Sequence, residues 1–175
     1  MGHARLLSIC EAYSTVPIPG ITHAFIFDGD DQTIIRKVND GTKVKEWPNQ
    51  VFSFSIPVPK HRNKTPDICI EFNYQDEEIQ RQDAGGRRLF INTEFHPESQ
   101  RHKDLDLFCR DRRKFPKNNR LCIIDDEVFD GENKNVALSK KNFAKYVLNH
   151  EPNFDDFDFS AFRGILDNLE KILRL

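Results

Sequence analysis

The sequence contains no apolar run approaching the roughly 20 residues that a membrane-spanning helix needs, and its first residues lack the basic-then-apolar order of a secretory signal. Both absences point to a soluble, cytoplasmic protein. There is no C-x-x-C pair. Cys10, Cys69, Cys109 and Cys122 are scattered, each in or beside an apolar segment, which favours free buried thiols in a reducing compartment over disulfides. His96, His102 and Cys109 do not have the spacing of a zinc site. Net charge is also scarce, at -2 over 175 residues with a pI of about 6.3. Bulk electrostatics therefore draws in neither nucleic acid nor membrane, and any such partner has to be met by a local patch. Internal repeats and low-complexity tracts are missing as well.

What is present is a polar globular composition, 31% charged and 38% hydrophobic, with fifteen phenylalanines to fill a modest core. The length suits one compact unit, residues 1–175. Leu6, Leu7, Ile9, Cys10 and Tyr13 recur at helical spacing over 4–13, and "PIPG" at 17–20 breaks the pattern before a strand at 21–27. Ile34, Ile35 and Val38 predict a short helix that starts near Asp31. "QVFSFSIPVP" at 50–59 reads as a second strand, whose prolines confine its end to an edge or an exit. "TPDICIEFNYQDEEI" at 65–79 reads as a helix or broken helix, "DAGGRRLFI" as a turn into a short strand, and "LCIID" at 121–125 as a third apolar run ending in acids. The chain closes with two helices capped by Ser139 and Ser160, the second expected to bury Phe162, Ile165, Leu166, Leu169, Ile172 and Leu173. The fold class is α/β: a mainly parallel sheet flanked by helices, with a long irregular basic excursion at 92–120 and a helical C-terminus.

The most informative stretch is "HAFIFDGDD" at 23–31, a hydrophobic run that ends in three carboxylates around one glycine. Like charges so close need a cation among them or water to spread them. In open α/β sheets functional groups collect past the C-terminal ends of strands, and an Asp-x-Asp pair there offers oxygen ligands to Mg²⁺ or Mn²⁺. Asp28 and Asp30 are the candidate ligands, while Asp31 is better placed to cap the following helix. Acidic turns produce the same spacing, so a solvated turn stands beside the metal reading. Glu71 and Asp67 follow the second strand, from which a carboxylate can reach the same spot; an ordinary helix face is the alternative for Glu71.

Asp125, Asp126 and Glu127 repeat the pattern of acids at a strand end. Glu132 and Lys134 have the acid-x-Lys spacing of restriction-type nucleases, although "DGENKN" is turn-like. Between Arg101 and Arg120 eight Lys or Arg face three Asp, interleaved with His102, Phe108 and Phe115. Such a loop on an otherwise acidic chain suits phosphate-backbone contact, with Arg110, Arg112, Arg113 and Lys114 as candidates. A solvated loop of surface ion pairs would look the same.

Taken in order, "FIFDGDD", "FSFSIPVP", "DICIEFNYQDEEI", "GRRLF", "IIDDEVFD", "NVALSKKNFAKYVLN" and "FDFSAFRGILDNLEKIL" make the chain, from about residue 3 to its end, resemble the C-terminal half of bacterial Toprim-domain proteins of the overcoming-lysogenization-defect (OLD) kind. The resemblance implies a compact, Rossmann-like α/β domain that binds Mg²⁺ and cuts nucleic-acid phosphodiesters, most simply DNA, in anti-phage defence. It makes Asp28 and Asp30 metal-binding and catalytic residues, and Glu71 a further catalytic carboxylate. Toprim domains also carry a glutamate on a strand well upstream of the Asp-x-Asp. Here only 27 residues precede Asp28, and Glu11, the one acid among them, falls in the predicted first helix. The chain thus resembles a Toprim domain without its first strand and helix. That departure implies a fragment, a split enzyme completed by a partner that supplies the upstream half or by an ATPase, or a degenerate, non-catalytic regulatory or interaction subunit.

Overall fold

Leu7 and Cys10 turn inward three residues apart on α1 (His3–Thr15), and the spacing that predicts this helix is the one that buries it. The computed structural model describes residues 2–16, 18–41, 43–65, 67–95, 106–110, 121–125 and 127–174. Its contacts gather into two compact units, one made of residues 1–70 with 160–175, the other of residues 71–159. Among the described residues no helix is long and apolar enough to cross a membrane.

In the first unit α1 leads to β1 (His23–Phe27), α2 (Gln32–Val38), β2 (Asn39–Asp40), β3 (Lys43–Trp47) and β4 (Val51–Ser55). The sheet order is β1-β4-β3-β2. β1 runs parallel to β4, with His23 opposite Val51 and Phe27 opposite Ser55, whereas β3 pairs with β4 and β2 with β3 antiparallel. The α/β class therefore holds, but the sheet is mixed where a mainly parallel one was expected, because one of these three pairings is parallel. The difference comes from the β2–β3–β4 meander. Gly41 turns it at a φ of 63°, and Asn49 and Gln50 turn it again at 63° and 57°, a left-handed conformation that asparagine tolerates better than most side chains.

β4 is one of the two inner strands. Val51, Phe52, Ser53 and Phe54 are all buried, so both of its faces are covered. The one polar group among them, Ser53 Oγ, donates to Val38 O at 2.6 Å and accepts from Trp47 Nε1 at 2.7 Å, which satisfies a hydroxyl that would otherwise destabilise the core. Leu7, Phe27, Ile34 and Val38 form an apolar cluster on the sheet, flanked by Leu6, Phe25 and Trp47.

The last helix of the chain, α5 (Arg163–Leu173), belongs to this unit. Gly164 lies so close to Pro57 that an added Cβ would sit 3.3 Å from the ring. The capping position of α5 is Phe162, and Ser160 instead opens the 3-10 turn Ser160–Phe162 in front of it. Ile165 and Ile172 are buried as expected, while Leu166 and Leu173 are 55% and 79% exposed. At about 100° per residue the stripe from Phe162 to Leu173 is wider than the face a helix of this unit covers.

The second unit holds α3 (Asp76–Ile79), β5 (Phe90–Ile91), β6 (Phe108–Cys109), β7 (Ile123–Ile124), β8 (Val128–Phe129) and α4 (Lys140–Leu148). A 3-10 turn at Ile70–Asn73 precedes α3, so of the segment expected as a helix or broken helix over 65–79 only these two short turns are helical among the described residues. β5 pairs with β7 and β6 with β8, both antiparallel. Phe90, Phe95, Leu107, Cys109, Ile124, Val128 and Ala137 pack together around these short strands. A second aromatic group packs on α4: Tyr74 meets Phe157 edge-on at 5.1 Å, Phe143 meets Phe157 at 5.6 Å, and Phe154 stacks on Phe157 at 5.7 Å. Offset and edge-to-face geometry of this kind adds to the area buried. Ser139 caps α4 as expected, its Oγ accepting from Asn142 N at 3.2 Å.

Candidate metal centre

The chain leaves the sheet at the C-terminal end of β1, where Phe27 is buried and Asp28 is not. Ile56 N donates to Phe27 O, and Gly29 N donates to Ile68 O at 2.8 Å, so the loop is tied to the segment beyond β4. Gly29 is itself buried. These backbone bonds fix where the three carboxylates point, and the three separate. Asp31 accepts from Thr33 N at 2.9 Å and Ile34 N at 3.3 Å as the cap of α2. Asp28 Oδ1 accepts from Ile70 N at 2.9 Å, which leaves Oδ2 directed elsewhere.

That direction is toward His3. Its Nε2 lies 3.8 Å from Asp28 Oδ2 and 3.5 Å from Asp30 Oδ1, and the three side chains are 25%, 34% and 20% exposed. One ligand atom from each of His3, Asp28 and Asp30 lies within 4.8 Å of the others, and among the described residues this is the one group of three metal-capable donors. His3 sits in the first turn of α1, a helix that packs against β1, α2 and β4. No sequence pattern links it to the Asp-x-Asp pair; tertiary packing brings it there.

The donor set fits a divalent cation. Ligands about 2.1 Å from a metal lie about 3.0 Å apart in cis-octahedral geometry and about 3.4 Å apart in tetrahedral geometry. The observed 3.5 and 3.8 Å need only a small contraction. The bond from Ile70 N orients the Asp28 carboxylate in the way that hydrogen bonds behind metal ligands commonly do.

The other acids of interest are engaged differently. Asp67 accepts from Gln32 Nε2 at 2.5 Å. Glu71 opens the second unit, where its Oε2 pairs with Lys140 Nζ at 3.0 Å. Asp125 Oδ1 accepts from Lys140 N at 3.0 Å, at the start of α4. Glu132 and Lys134 lie on the turn after β8 and not on a strand: both backbone N–H groups donate to Asp130 Oδ1, at 3.0 and 2.8 Å. The acid-x-Lys spacing is thus a by-product of a turn closed on Asp130.

Of the basic candidates, Arg110 donates to Asn133 Oδ1 at 2.5 Å and lies over the Phe129 ring, 4.2 Å from its centroid. Arg112, Arg113 and Lys114 fall outside the described residues, as do Asp126, His96 and His102. All four cysteines are free; Cys10, Cys69 and Cys109 are buried and Cys122 is partly exposed. Burial, with the Glu11 charge beside it, pushes the Cys10 thiol up to about 11, so it is a packing residue and not a nucleophile.

Comparison of the chain with protein-family models, with curated proteins and with solved structures finds no match.

Proposed function

We propose that the protein is a metal-dependent nuclease domain that cleaves nucleic-acid phosphodiesters, with the metal held by Asp28 and Asp30. The reading is carried by one observation: two carboxylates and an imidazole converge at the exit of β1, with separations that a divalent cation would span. Its resemblance to OLD-type Toprim nucleases supplies the substrate class, and anti-phage defence the setting.

Asp28 and Asp30 place negative charge where a cation and a phosphodiester oxygen would meet, and Asp28 is held in that pose by Ile70 N. A divalent cation bound there would polarise the phosphodiester and lower the pKa of a bound water. Asp31, turned into the α2 cap, takes no part. Glu71, which pairs with Lys140, remains a candidate catalytic carboxylate. Arg110, Arg112, Arg113 and Lys114 are the proposed backbone contacts.

The test is cleavage of single- and double-stranded DNA and RNA with Mg²⁺ or Mn²⁺ by the wild-type chain and by Asp28→Ala and Asp30→Ala. Loss of cleavage by a factor of about 10² or more in either variant is the expected result. Cleavage that survives both substitutions removes these residues from the mechanism.

One observation favours a second reading, a non-catalytic regulatory or interaction subunit. His3 Nε2 lies within 4 Å of both carboxylates, so the cluster can be a closed polar group that joins α1 to the β1 exit. This version predicts no cleavage by the purified chain and no effect of divalent cations on its stability.

A further inference from the structure

His3 is the one nitrogen donor in the cluster, and it comes from an element other than the loop that carries the two carboxylates. An all-oxygen loop site suits Mg²⁺, a hard ion that keeps its waters and takes one or two carboxylates. An imidazole among the ligands shifts the preference toward borderline first-row ions, for which nitrogen is the better donor. His3 Nε2 is nearer to Asp30 Oδ1, at 3.5 Å, than to Asp28 Oδ2, at 3.8 Å, so it lies on the coordination side of both. It is also the atom whose removal would leave an ordinary Asp-x-Asp pair.

Resting on the metal-site reading above, we infer that His3 is a direct metal ligand, and that it makes the site selective for a first-row transition dication of the Mn²⁺ or Zn²⁺ class over Mg²⁺. A cation so held joins the first turn of α1 to the β1 exit. Binding is therefore coupled to the docking of α1, and it raises the thermal midpoint of the whole chain.

The test uses the full chain with Mn²⁺ as the probe, in wild type, His3→Ala and His3→Asp. Pulsed electron paramagnetic resonance of bound Mn²⁺ should show nitrogen modulation from an imidazole in wild type and none in His3→Ala. Titration with Mg²⁺ as competitor should show the Mn²⁺-to-Mg²⁺ affinity ratio falling about tenfold or more in His3→Ala, since even partners behind a ligand are worth that much. His3→Asp should restore Mg²⁺ affinity by supplying oxygen in place of nitrogen. Mn²⁺ bound at the Asp pair without nitrogen modulation, with the same ratio in wild type and His3→Ala, would overturn the role of His3 while leaving the carboxylate site standing. No divalent binding in any of the three proteins would overturn the site itself, and this inference with it.

Discussion

The Asp28–Asp30 pair of the first unit is held differently from several carboxylates of the second. In the second unit several buried or half-buried carboxylates meet a fixed donor. Glu94 pairs with Arg88 at 2.7 Å and Glu71 with Lys140 at 3.0 Å. Asp83 pairs with Arg87 at 2.7 Å, and Glu78 accepts from Gln75 N at 2.9 Å and Asp158 N at 2.6 Å. In the first unit the Asp28–Asp30 pair faces an imidazole, whose charge depends on a proton. The contrast teaches what each arrangement is for. A permanent cation closes a site and stabilises the fold, whereas a conditional one can be exchanged for a metal ion.

The largest effect expected from breaking the contrast is in the second unit. Arg88 is buried, donates to Leu89 O at 3.0 Å and lies over the Phe90 ring. Glu94→Ala strands that guanidinium and also removes the acceptor for Ile91 N. A loss of about 3 kcal/mol in chemical denaturation is expected; a loss below about 1 kcal/mol would show that the pair is not a closing contact.

Asp83→Ala comes next, at about 2 kcal/mol near neutral pH. Burial opposes ionisation of Asp83, but hydrogen bonds from Arg87 N and its guanidinium, the Arg87 charge and Gly85 N outweigh it and hold the carboxyl below the usual range. A carboxyl whose folded pKa is depressed stabilises fully above its unfolded value of about 3.9 and loses that contribution as pH falls through the lower folded value. The stability gap between wild type and Asp83→Ala should therefore stay constant down to about pH 4 and narrow below it. A gap independent of pH would assign the effect to packing.

The smallest effect on folding is expected at the first-unit cluster. Asp28→Asn with Asp30→Asn should change stability in metal-free buffer by less than about 1 kcal/mol, because the pair is partly exposed and its partner is an imidazole. A large loss would move the cluster to the structural side of the comparison.

How much of this was legible beforehand follows from where the information sits along the chain. The α1 and α2 helices, the Asp31 cap, β1, β4 and the Ser139 cap carry local signals, periodicity and a capping side chain, and they stand as read. The β2–β3 pair was missed because Lys43–Trp47 has only Val44 and Trp47 as apolar residues. The Trp47 place is set by a hydrogen bond to Ser53 on the next strand, a signal outside its own segment. The two-residue strands β6 and β8 are too short to show a period. The α5 burial was overstated because a wide apolar stripe does not say which part of it meets a neighbour. In the candidate site, Asp28 and Asp30 were readable from a strand running into acids. His3 was not, because only the packing of α1 on the sheet places it beside them.

The central claim is that the carboxylates at the end of "HAFIFDGDD" form a cation site. Calorimetric titration of Mn²⁺ into the wild-type chain and into the Asp28→Asn, Asp30→Asn double variant tests it most directly. The expected result is saturable binding at one site in wild type and its loss in the variant, with both proteins folded. Equal heats in the two proteins, or none in wild type, would contradict it.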